Sequence, residues 1–163
     1  MILNYILLFL SAIGLVIIGV NHFTIVEMFS MSPMKLSLFI SMIYIAAETL
    51  VMFFFVGTGV SIKEYIQDHP GTDHEFHARS VKLKRILYPP TMAATLLFVA
   101  MVILDGAWLL GQVNRWWFIG LYVGTVYYFF KSLIIQHKCF RDNTVIILEM
   151  TGTKAKINSA DPD

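Results

Sequence analysis

LSLFISMIYIAAETLVMFFFVG, Leu36 to Gly57, decides the fold. It is a run of about 20 apolar residues, the length that carries an α-helix through a bilayer, interrupted near its middle by one acid, Glu48. An ionisable group at that depth is costly unless it faces protein or water, so the remaining spans are expected to pack around it. The composition agrees with this reading. Hydrophobic residues make up 57% of the 163, and charged residues only 14% against roughly a quarter in soluble domains, which points to an integral membrane protein.

Working outward, MILNYILLFLSAIGLVIIGV at the start lacks a basic leader and a small-x-small cleavage site, and reads as a retained first span, about residues 2–20. The second span, 36–57, is expected to stop at Gly57 and Gly59. A polar region from Val60 to Arg85 follows. The third span then runs over 86–112, with Pro89 and Pro90 placed in its first turn, and the fourth over 117–135 after the short connection VNRW. These four spans, residues 1–136, form one transmembrane bundle, and 137–163 is read as a short cytoplasmic tail in which TVIILEM and the following TGTKAKIN suggest a small hairpin or an interface-lying segment. The fold class expected is an all-α, four-helix membrane bundle.

Basic residues set the orientation. Lys63, Arg79, Lys82, Lys84, Arg85, Lys138, Arg141, Lys154 and Lys156 fall on one side, against Lys35 and Arg115 on the other. Both termini are therefore expected in the cytoplasm, with Trp108, Trp116 and Trp117 at the outer interface. At about 1.5 Å of rise per residue, Glu48 lies ~18 Å below Leu36 and Lys131 lies ~21 Å below Trp117. Their common level suggests a buried ion pair or proton relay, a set that would also take in Tyr44, Tyr127 and Asp105. Asp105, only ~10 Å from the outer end of its helix, is closer to His22 than to Glu48. Gly120 and Gly124 form a small-x-x-x-small pair in line with Tyr127 and Lys131, so that face is expected to pack against its neighbours.

Two further groups have metal-ligand character. On the outer side Met28, Met31 and Met34 stand in M-x-x-M-x-x-M spacing near His22 and Glu27, soft donors of the kind that suit copper. On the cytoplasmic side His69, His74 and His77 lie among Asp73 and Glu75. Five histidines are too few for a di-iron histidine-box enzyme, and none falls inside a span where two could hold one haem b. The lone Cys139 excludes an internal disulfide and reads as an inert thiol at the end of a span.

FVGTGVSIKEY (Phe55 to Tyr65) followed by KLKRILYPPTMAATLLFV (Lys82 to Val99) resembles a pattern in small bacterial four-span membrane proteins of no known activity. There a G-T-G-x-x-x-K-E element closes one span, and Gly57, Thr58, Gly59, Lys63 and Glu64 stand at its positions here. The resemblance implies a bacterial inner-membrane setting and brings no activity with it.

The function expected is that of a non-catalytic accessory or structural subunit of a larger membrane complex, respiratory or otherwise energy-transducing. Its partners would be the lipid bilayer and other membrane subunits. The alternative is an autonomous module that binds or transports quinone, haem b or copper through the intramembrane acids and the outer Met and His residues. A net charge of +1 offers no basis for a nucleic-acid partner.

Overall fold

The computed structural model describes residues 2–24, 32–69 and 73–152. Four helices account for nearly all of them: α1 (Ile2–Thr24), α2 (Pro33–Asp68), α3 (Glu75–Leu109) and α4 (Arg115–Met150). Each packs mainly on its sequence neighbours, and α4 closes the ring loosely against α1. All four are long and apolar enough to cross a membrane.

The surface supports the same reading. Phe53, Leu96, Ile103 and Ile134 are each about two-thirds exposed. A soluble bundle would bury such side chains, whereas a lipid-facing one presents them outward.

Helix length is where the structure departs from expectation. At about 1.5 Å per residue, the 23 residues of α1 span ~35 Å, while the 35 or 36 of each other helix span ~53 Å. The α1 start lies level with His137, which Tyr5 contacts, so the surplus of α2, α3 and α4 extends together beyond the basic end of the bundle. This three-helix stalk has its own core of Ile62, Ile66 and Ile146, backed by Phe76 and Leu83, and an Arg79–Glu149 ion pair of 2.8 Å.

Three expectations are corrected by the stalk. Gly57 and Gly59 do not end α2; Gly57 faces open space, and Gly59 is buried where a Cβ would strike the Lys84 side chain. Pro89 and Pro90 stand in the middle of α3 rather than in its first turn, because the polar stretch before them is already helical. The residues TVIILEM form the last turns of α4, neither a hairpin strand nor a separate segment, while 153–158 of the TGTKAKIN that follows lie outside the described residues. In each case burial of an apolar stripe against two neighbouring helices outweighs a local stop signal.

Candidate functional site

The inward stripe of α2 recurs every three or four residues through Ser37, Ile40, Tyr44, Glu48, Val51 and Phe55. It brings Glu48, 2% exposed, to the bundle axis. The Gln136 side chain of α4 meets it there: Nε2 donates to Glu48 Oε2 across 2.7 Å. The same nitrogen lies 3.0 Å from Ser132 Oγ and 3.4 Å from Thr91 Oγ1 of α3, and those two hydroxyls are 3.3 Å apart. One turn away Tyr44 is fully buried and stacks on Phe98 at 4.1 Å between centroids, its hydroxyl beside Glu48 and Thr95.

Lys131 is not part of this group. It is exposed on the outer surface of α4, its Nζ 5.5 Å from the Tyr128 ring centroid and 6.0 Å from that of Tyr127, which is itself 61% exposed. The expected pairing of Glu48 with Lys131 is thus replaced by Glu48 with Gln136. Depth puts acid and base near one level, but the helical wheel separates them. Lys131 is rotated ~100° from Ser132, and Ser132 and Gln136, four apart, share the inward face.

The glycine pair is corrected on the same ground. A Cβ on Gly120 or Gly124 would meet nothing, whereas one on Gly14 would strike Ile40 and one on Gly19 would strike Tyr122, so the glycines that neighbouring helices close upon are those two of α1 and Gly59 of α2. The Tyr122 hydroxyl also donates to the Leu15 carbonyl at 3.2 Å.

A second buried polar group occupies the other end of the bundle. Asp105 accepts from Ser37 Oγ at 2.9 Å through one oxygen, and its other oxygen lies 2.9 Å from His22 Nδ1. The imidazole is packed between Phe118, stacked at 3.6 Å, and Trp108 at 4.1 Å, and its buried Nε2 has no partner among the described residues. The proximity of Asp105 to His22 agrees with the depth argument; Ser37 joins them by its place on the α2 stripe. Between this group and Glu48 lies an apolar layer that includes Ile40, Phe98 and Met101, and no hydrogen bond among the described residues joins the two.

The other candidate ligands are dispersed. Met28 and Met31 lie outside the described residues, and Met34 is exposed on α2 near Gly106. His69 contacts the Tyr65 carbonyl at 3.1 Å and stacks on the Tyr65 ring, while His74 is exposed and His77 half-buried. Among the described residues no three His, Cys, Asp or Glu side chains are grouped to hold a metal ion. His22 and His137 stand at opposite ends of the bundle, one held by Asp105 and the other by the Tyr5 hydroxyl at 3.0 Å, so they do not face one haem.

Sequence reasoning missed Gln136, which stands just past the expected end of the fourth span. A readable signal existed: Thr125, Ser132, Gln136 and Asn143 recur at intervals of seven, four and seven, a helical stripe of polar residues, and all four are buried.

Two lateral cavities flank the central group. One, about 210 Å³ between α2 and α3, is lined by Glu48, Thr95, Met52 and Met92. The other, about 360 Å³ between α1 and α4, has Gln136 in its wall. The hydrogen bond between Glu48 and Gln136 therefore links the walls of two cavities on opposite sides of the bundle.

Fold and site together define the class: an all-α bundle of four helices, each of membrane-spanning length, with a buried acid held by an amide on its axis. Comparison with protein-family models, curated proteins and solved structures finds no match for this chain.

Proposed function

We propose that this chain is a non-catalytic accessory subunit of a larger complex in a bacterial inner membrane, with both termini in the cytoplasm. The observation that carries the reading is the outward placement of Lys131. It sits ~21 Å along α4 from Trp117, in a hydrocarbon layer of about 30 Å. Helical side chains lean toward the helix N-terminus, and the ammonium lies over the rings of Tyr127 and Tyr128, one turn toward the tryptophan end. It therefore reaches toward the bilayer centre rather than toward the nearer polar edge. Tyrosine faces stabilise a cation only modestly, and a lipid-exposed ammonium at this depth is costly without an acid opposite it.

The partner this fits is a transmembrane helix carrying a carboxylate at the same depth. It would dock along the stripe of Val123, Tyr127, Phe130 and Ile134, all exposed. The basic stalk at the other end of the spans accounts for the orientation, since such residues favour the cytoplasmic side.

Purification in mild detergent tests the reading. The chain is expected to co-migrate with at least one larger membrane protein, and Lys131→Met is expected to release it. A wild-type chain that runs alone from native membranes would overturn the proposal.

A further inference from the structure

The basic residues at the stalk end of the spans differ in what surrounds them. Arg79 is held by Glu149 at 2.8 Å, Arg141 lies 3.5 Å from Asp142, and the Lys84 side chain reaches over Gly59 of α2. Lys82 of α3 and Lys138 of α4 are exposed and take part in no ion pair among the described residues. Both line one cavity of about 440 Å³ between the two helices. Leu83, Ile86, Val145 and Ile146 give that cavity an apolar lining, and its one carboxylate, Asp142, is the acid beside Arg141. Arg85 stands on the other side of Lys82, in an adjoining groove of α3 that shares Lys82 and Ile86.

Depth places these cations. Lys138 lies ~32 Å along α4 from Trp117, and Arg85 ~35 Å along α3 from Trp108. A hydrocarbon layer is about 30 Å thick, so with the tryptophans at one interface these residues stand at the headgroup level of the other. Ile86, in the wall of the cavity, is exposed and begins the apolar surface that α3 presents to lipid through Met92 and Leu96.

Two ammonium groups that line one recess repel each other and gain from an anion held between them. Lysines that only orient a chain in the membrane need neither a shared recess nor apolar walls. A soluble phosphate would meet the lysines and leave Ile86 and Val145 uncovered, whereas a phospholipid meets both. The lining carries more cations than acids, which favours a headgroup of net negative charge over one that brings an ammonium of its own.

We propose that the cavity between α3 and α4 binds an anionic phospholipid of the adjoining leaflet. Its phosphate sits between the ammonium groups of Lys82 and Lys138, and its acyl chains run over Ile86 into the bilayer. The site stands apart from the subunit reading, because the isolated chain contains all of it.

Electron spin resonance of spin-labelled phosphatidylglycerol, in phosphatidylcholine nanodiscs holding the full chain, tests the assignment. One motionally restricted phosphatidylglycerol per chain is expected above the level seen with labelled phosphatidylethanolamine. Lys82→Gln and Lys138→Gln, both on exposed side chains, are each expected to weaken the association about fivefold. Lys63→Gln, which removes an exposed lysine of α2 outside the cavity, is expected to leave it unchanged. Inorganic phosphate is expected to displace the label no more than sodium chloride of the same ionic strength. Equal restriction of the two labels, an excess that survives Lys82→Gln combined with Lys138→Gln, or an equal loss in Lys63→Gln would overturn the proposal. Displacement by phosphate beyond that by chloride would overturn it in favour of a soluble anion.

Discussion

Gln136 Nε2 donates to Glu48 Oε2 across 2.7 Å, joining α4 to α2 at the bundle axis. Glu48 is 2% exposed, so its carboxyl relies on this donor in place of water. Gln136→Leu is expected to destabilise the bundle by about 2–3 kcal/mol, since it strands a buried acid. Adding Glu48→Met should recover part of that loss, because two apolar groups strand nothing. Thermal unfolding in detergent, followed by circular dichroism, measures both; losses that simply add would mean the two side chains are not coupled.

Among the described residues no acid faces Lys131, and its contacts are the rings of Tyr127 and Tyr128. Lys131→Met in the isolated protein is therefore expected to change stability by less than about 0.5 kcal/mol. The same unfolding assay checks this, and a large loss would restore an internal ion pair.

Gly57 and Gly59 are two residues apart on one helix, yet opposite outcomes are expected for them. Gly57 is exposed with open space around its Cα, so Gly57→Ala should stabilise α2 by up to about 1 kcal/mol through helix propensity. A Cβ on Gly59 meets only the flexible end of Lys84, which can swing aside, so it is the larger side chain of Gly59→Leu, overfilling a buried site against α3, that should cost about 1–3 kcal/mol. Similar values at both positions would show that α2 and α3 are not closely packed there.

Much of this architecture is readable from residues alone, and the reasons for the failures are specific. Leu36 to Gly57 declares a span because length and apolarity are properties of one segment. The proximity of Asp105 to His22 follows because depth is counted along a helix at fixed rise. What escapes is rotation and continuation. Lys131 matches the level of Glu48, but its outward direction is decided by which stripe of α4 packs inward, and Ser132 with Gln136 sets that stripe. Gly57, Gly59, Pro89 and Pro90 read as helix boundaries; α2 and α3 nevertheless run on because Ile62 and Ile66 find Ile146 on α4, a contact far away in sequence.

Cys139 lies just beyond the apolar stretch of α4, 2% exposed, its Sγ 3.9 Å from the Leu83 carbonyl. Burial pushes its thiol up from the ordinary value, with Asp142 adding to the effect. A raised value means less thiolate at any neutral pH, and the thiolate is the reactive form. Alkylation by maleimide is expected to be much slower than for a free thiol at pH 7, rising about tenfold per pH unit well into the alkaline range. Mass spectrometry of timed samples follows the reaction, and labelling within minutes at pH 7 would place the thiol in solvent.

The central claim, that the Lys131 face of α4 meets an acid-bearing helix of another protein, is tested most directly by photo-crosslinking in native membranes. Ile134, 67% exposed and one turn from Lys131, is the position for a photo-reactive residue. A discrete adduct with one larger membrane protein is expected, lost when Lys131→Met is added. Adducts with lipid alone, or a crosslink that survives Lys131→Met undiminished, would contradict it.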